Sequence, residues 1–260
     1  MTVISIEHAR INRGGQCVLN DVSLDVERGD RIALIGPNGS GKTTLLRAIL
    51  GLVPLAQGRI LLDGDPVARL TSIERAARVA WLPQQALADE AITTLEFVLA
   101  ARYRFTEPQQ IAKEAALHAL KCIDAEAWAS RLVTQLSGGE QQRIALAALL
   151  AQESQTLLAD EPANHLDPAQ QVVVWRLLGR IAASGTMIVV THDINWVPWL
   201  GDLAATRVVA LKQGQLIFDL KADDALLPAR LSELYGIEML ALESNGQRVI
   251  VPTKSERGSL

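Results

Sequence analysis

Residues 32–51 read IALIGPNGSGKTTLLRAILG, an apolar run that stops at glycine, then a lysine, two threonines and a helical pattern. This stretch constrains the fold more than any other. Its centre, Gly36-Pro37-Asn38-Gly39-Ser40-Gly41-Lys42-Thr43, has the spacing G-x4-GK[ST] of a phosphate-binding loop. Glycine lacks a Cβ, so the backbone can turn successive N–H groups toward one point, and such a nest holds anionic oxygens. A helix starting at Lys42 adds its N-terminal dipole and open amides. The pattern predicts a buried strand over 31–35 and a helix over 43–50, with Gly51 at its C-terminal cap. Asn38, Gly39, Ser40 and Gly41 then cradle phosphate and Lys42 reaches the β- and γ-phosphates. Thr43 offers a hydroxyl to Mg²⁺, and Thr44 bonds the α-phosphate.

The chain has 260 residues, 49% of them hydrophobic, which allows a sizeable core. Its net charge is −4 with no basic block, which argues against a nucleic-acid partner. Cys17 and Cys122 have neither metal-type nor redox-type spacing, as expected in a reducing compartment. Glu7, His8, Arg10 and Arg13 interrupt any signal-peptide core. The longest purely apolar run, 144–151, is too short to span a membrane, so a membrane role requires a partner.

Alternation at Val18, Val22, Leu24 and Val26 predicts a half-buried strand before Gly29, and 60–62 reads as another strand. From 86 to 152 the composition turns helical. Thr106-Glu107-Pro108-Gln109 reads as a capping box opening a helix to about Ile123, and Ser137-Gly138-Gly139-Glu140 has the same form before a helix to Ala151. Strands return at 156–159 and 186–191, separated by a helix from Asp167-Pro168 to near Gly185. Strands alternating with helices predict an α/β fold with a mainly parallel sheet and an all-helical insert. The expected organisation is a core of residues 1–85 and 153–220, a helical subdomain over 86–152, and a tail over 221–260.

Two acids, Asp160 and Glu161, stand where an apolar strand stops. Ligands of open α/β sheets sit at the carboxyl ends of strands, and neighbouring strand residues face opposite ways. Asp160 is therefore expected to hold Mg²⁺ through water, and Glu161 to orient and polarise the attacking water. His192 follows the next strand and is expected on the same edge, bonding the γ-phosphate or that water. His8, His118 and His165 carry no such expectation.

Leu136-Ser137-Gly138-Gly139-Glu140 supplies a second signature, and here the chain resembles the ATP-binding cassette (ABC) ATPases. Gln84 resembles the Q-loop glutamine, Asn164-His165-Leu166-Asp167 the D-loop, and His192 the switch histidine, all in the family's order over about residues 3–220. The resemblance implies a P-loop NTPase core with an N-terminal antiparallel β part, ATP and Mg²⁺ as ligands, and Gln84 reaching both metal and water. It also implies a head-to-tail homodimer in which Ser137 and Gly139 of one subunit face the phosphate loop of the other. The family's adenine-stacking aromatic falls here at Arg13, whose planar guanidinium can also stack.

The resemblance further implies an ATPase subunit that docks on transmembrane permease subunits at the cytoplasmic face of the inner membrane, supplied indirectly by a solute-binding protein. Residues 86–103 are either its docking surface or core of the insert. The stretches around Thr94, His192-Asp193-Ile194-Asn195 and Leu234-Tyr235-Gly236 resemble importers of siderophores, haem or cobalamin. An exporter subunit and a soluble cassette ATPase are the alternatives.

Overall fold

The computed structural model describes residues 1–84, 91–183, 185–244 and 247–253. The chain runs through β1 (Thr2–Arg13), β2 (Gln16–Glu27), β3 (Arg31–Ile35), α1 (Lys42–Ile49), β4 (Gln57–Leu62), β5 (Asp65–Pro66), α2 (Ser72–Arg78) and β6 (Val79–Leu82). There follow α3 (Thr94–Ala100), α4 (Gln109–Cys122), α5 (Gly138–Ala151), β7 (Thr156–Asp160), α6 (Pro168–Ala182) and β8 (Thr186–Val190). The last elements are β9 (Thr206–Lys212), β10 (Gln215–Lys221), α7 (Ala222–Ala225), α8 (Pro228–Tyr235), β11 (Met239–Ser244) and β12 (Gln247–Pro252).

Among the described residues two larger sheets, a two-stranded sheet of β11 and β12, and a helical layer result. An antiparallel sheet has the order β2-β1-β4-β5, and a central sheet has the order β10-β9-β3-β8-β7-β6. Within the central sheet β9-β3, β3-β8, β8-β7 and β7-β6 are parallel, and β10 is antiparallel to β9. The expected α/β class, antiparallel N-terminal part and helical insert are all present. β3, β7 and β8 are apolar almost throughout because both faces are covered. Ile32, Leu34, Leu158, Ile188 and Val190 pack toward the antiparallel sheet and α1. Their neighbours Ala33, Ile35, Ala159, Met187 and Val189 pack toward the helices of the insert and α6. The period of two along each strand thus divides one sheet between two cores.

Three local expectations shift. The helix expected from a capping box at Thr106 begins two residues later: Pro108 is the N-cap, in an extended conformation and without a side-chain cap. No side chain caps this helix, and Glu107, inside the expected box, is engaged in an ion pair with the buried Arg102. The helix after Asp167 ends at Ala182, short of Gly185. Of residues 86–103, 86–90 lie outside the described residues. In α3, Thr94 and Val98 are buried, whereas Tyr103 beyond it is 58% exposed, so this stretch supplies core and surface alike.

α7, α8 and β12 pack back on the core. Ala222, Ala225, Leu226, Leu231, Leu234 and Ile250 are buried against the face that holds α6. At the centre of that face Trp175 of α6 is 1% exposed and stacks on Trp196, with ring centroids 5.8 Å apart. Replacing a fully buried tryptophan removes both its transfer free energy and its packing. Trp175→Ala is expected to cost about 3–5 kcal/mol, measured from the urea midpoint at unchanged slope. A loss under about 1 kcal/mol would show that this cluster is dispensable to the core.

Candidate active site

The strands end in register. Asp160 pairs with Val190 across β7 and β8, and Leu34 with Val190 across β3 and β8. Gly36, Glu161 and His192 therefore leave the sheet at one edge. Two backbone bonds tie these exits together, from the Glu161 N–H to Val190 O at 3.1 Å and from the Thr191 N–H to Leu34 O at 3.3 Å.

The loop from Gly36 needs its glycines at two places in particular. Gly36 has φ +142°, and a Cβ there would sit 2.0 Å from the Leu211 carbonyl oxygen. Gly41 has φ +102°, with Leu19 only 2.6 Å from where a Cβ would be. Gly41 is also the N-cap of α1, and no side chain caps that helix. Its first amides are left to bind an anion. Lys42 is 6% exposed and donates from Nζ to the carbonyls of Gly36 at 2.8 Å and Pro37 at 3.0 Å. Burial lowers its pKa, opposed by the charges of Glu161 and Asp160. Ser40 Oγ is buried without a hydrogen-bond partner. An open groove is lined by Asn38, Gly39, Ser40, Gly41, Lys42, Thr43 and Thr44 together with Gln84, Glu161 and His192.

The two acids take different places. Asp160 is 2% exposed and accepts from Thr43 Oγ1 at 3.2 Å. Burial raises its pKa, the Thr43 bond opposes the rise and the Glu161 charge adds to it. Glu161 follows with φ +50°, a left-handed turn that swings its carboxylate off the strand. Its Oε2 accepts from Gln84 Nε2 at 2.8 Å and Asn164 Nδ2 at 2.8 Å, and its Oε1 pairs with His192 Nε2. Three side chains from three loops thus hold one carboxylate.

Asn164 and His165 also line the groove. They were recognised in the sequence only as part of a motif, and nothing local distinguishes them from ordinary turn residues. Arg13 lies beside the groove, in a neighbouring pocket that it lines with Thr44, Arg47 and Trp81. Ser137 and Gly139 do not line this groove. Ser137 caps α5: its Oγ accepts from the Glu140 N–H at 3.4 Å and donates to Glu140 Oε2, which also accepts from the Ser137 N–H at 2.8 Å. Gly139 is buried, and a Cβ there would meet the Gln170 side chain at 2.5 Å. It therefore allows α5 to lie close against α6.

An uncapped helix under a glycine nest, a buried lysine, a hydroxyl–carboxylate pair and a strand-end glutamate define a P-loop nucleoside-triphosphate hydrolase. The profile of the ABC transporter family matches residues 19–164, and the chain belongs to that family. It is an ATP-binding ATPase. The hemin import ATP-binding protein HmuV of Rhodococcus jostii (strain RHA1) is 36% identical over 252 residues, which cover 95% of this chain and 85% of that protein. HmuV of Pseudomonas fluorescens (strain Pf0-1) is 34% identical, with 98% and 97% covered. Among solved structures, a metal-chelate type ABC transporter in an inward-facing conformation matches with a TM-score of 0.82 at 26% identity, over 98% of this chain and 99% of that one. A dimeric ATP-binding cassette in a post-hydrolysis state, bound to ADP and Pi, matches with a TM-score of 0.73 at 29% identity, over 84% and 98%.

Proposed function

We propose that this chain drives a membrane importer of metal chelates, with hemin as its cargo, by closing as a homodimer over ATP. The observation that carries the reading is the single edge at which Lys42, Asp160, Glu161 and His192 meet. The importer and its cargo are supported by the similarity to two hemin import ATP-binding proteins over nearly the whole chain.

The nest of residues 36–41 and the α1 amides bind the phosphates, while Lys42 moves from the Gly36 and Pro37 carbonyls to the β- and γ-oxygens. Thr44 bonds the α-phosphate, and Arg13 stacks on adenine. The oxygen donors Thr43 and Asp160, 3.2 Å apart, suit Mg²⁺, and Gln84 stands close by. Among the described residues there is no cluster of three metal-ligating side chains, which agrees with an ion held by one carboxylate, one hydroxyl and the nucleotide itself. Bound there, Mg²⁺ supplies Lewis-acid stabilisation of the phosphate charge. Glu161 accepts the proton of the attacking water as its oxygen bonds the γ-phosphorus and the bond to the β–γ bridging oxygen breaks, releasing ADP and phosphate. His192, Gln84 and Asn164 orient that carboxylate.

The Ser137 and Gly139 end of α5 lies outside its own groove, which supports its use by a second copy, and the likeness to a dimeric cassette supports the same arrangement. No described helix is long and apolar enough to cross a membrane, so transport is assigned to permease subunits. This ATPase then docks at the cytoplasmic face, and a solute-binding protein delivers cargo from the other side.

Reconstitution with its permease in vesicles is expected to give hemin uptake that requires ATP, with ATPase activity at least about tenfold above that of the isolated subunit. Uptake of another chelate in preference to hemin would reassign the cargo, and ATP-driven efflux in the same orientation would overturn the importer reading.

A further inference from the structure

Two short stretches of the sequence play no part in the chemistry above, Asp193-Ile194-Asn195, which directly follows His192, and Leu234-Tyr235-Gly236. The fold brings them together behind the catalytic edge. Asn195 lies three residues after His192, in a 3-10 helix over Ile194–Leu200. Its side chain grips one residue of the C-terminal hairpin: Nδ2 donates to Ile250 O at 3.1 Å, and the Ile250 N–H donates to Oδ1 at 2.8 Å. A carboxamide carries a donor and an acceptor side by side, so it can satisfy both backbone groups of one residue as a neighbouring strand does. Ile250 itself is 6% exposed, which shields both bonds from water.

The loop that carries His192 is held from both sides. Thr191 Oγ1 donates to Asp193 O at 3.1 Å, and Asp193 Oδ1 accepts from the Asn195 N–H and Nδ2, each at 3.0 Å. His192 itself is 42% exposed at its side chain and pairs with Glu161. Its alignment with Glu161 therefore depends on how residues 193–195 are anchored.

A second contact comes from α8. The Tyr235 hydroxyl is buried and makes no hydrogen bond of normal geometry. It lies beside the Gly36 backbone and within reach of the Asp193 charge, and burial pushes its pKa up to about 12. Lys212 Nζ donates to Glu233 O at 2.8 Å, tying α8 to the end of β9.

We propose that α8 and the β11–β12 hairpin form a brace for the catalytic edge, in which Asn195 is a positioning residue that holds the His192 loop in register with Glu161. The proposal rests on the assignment of His192 to the hydrolytic site. Asn195 does not line the nucleotide groove, so its effect falls on the chemical step and spares ATP binding. A displacement on the order of 1 Å of a catalytic group can cost as much as a hundredfold in rate, so partial loosening of this loop is expected to cost about tenfold.

The test is single-turnover hydrolysis by the full chain, bearing Asn195→Ala alone, His192→Ala alone, and both. Asn195→Ala is expected to slow turnover about tenfold with ATP affinity within about twofold of the parent, and to speed amide exchange at Ile250. Added to His192→Ala, it is expected to cause no further slowing. Asn195→Asp keeps the shape and the acceptor but sets an oxygen against Ile250 O, so it should reproduce the loss if the alanine variant folds poorly. An unchanged rate in Asn195→Ala, or a further loss of about tenfold on top of His192→Ala, would overturn the brace. Full activity of His192→Ala alone would overturn the assignment of His192 as well, and that result is visible without any change at Asn195.

Discussion

Glu161→Gln is expected to reduce ATP turnover about a thousandfold while ATP remains bound. The carboxylate is only 11% exposed at its side chain and is held through both oxygens, by Gln84 and Asn164 on one and His192 on the other. Glutamine keeps the length and one oxygen acceptor, so the neighbours retain a partner, but an amide cannot accept the proton of the attacking water. Positioned general bases contribute about 10²–10⁴ in rate, and this is the range the substitution removes. Removing a negative charge from beside the γ-phosphate also favours the loaded state, so a dimer trapped with ATP is expected. Phosphate release reports the first effect, and size-exclusion chromatography with and without ATP the second. Turnover within about threefold of the parent would exclude Glu161 as the base.

Lys42→Ala acts on binding. In the structure Nζ is occupied by the Gly36 and Pro37 carbonyls, and burial lowers its pKa. A triphosphate replaces those neutral acceptors with charged ones and favours the protonated amine. Hydrogen bonds to charged groups are worth about 1.5–3 kcal/mol each. Losing two of them raises the dissociation constant by roughly two to four orders of magnitude, at about 1.4 kcal/mol per tenfold. Titration calorimetry with ATP measures this directly. A dissociation constant within about threefold of the parent would mean that the nest and the α1 amides bind the phosphates without the lysine.

Much of this site was legible because its signals are local. The glycines of residues 36–41, the capping box at Ser137 and the acids at the end of an apolar strand each rest on chemistry within a few residues of chain. The same locality explains the misreading at Thr106. Ser-x-x-Glu and Thr-x-x-Gln look equivalent as strings, but Glu107, inside the second string, was claimed by Arg102 from outside the helix. β1 was not read as a strand because its alternation is broken. His8 has φ +50°, and the pairing with β2 shifts register between Ile6 and Ala9.

By itself the sequence determined that a phosphate loop sits between a buried strand and a helix, that acids follow a second strand, and that a capped helix opens at Ser137. Short-range sterics, capping and hydrophobic period suffice for these. Only the tertiary structure decided that β3, β7 and β8 end in register, so that Lys42, Glu161 and His192 meet, and that Asn164 joins them. It also carried the C-terminal hairpin back to Asn195, across 55 residues of chain. Such partners are chosen by pairing between distant strands and by packing of their faces, and no window of sequence contains both sides of those contacts.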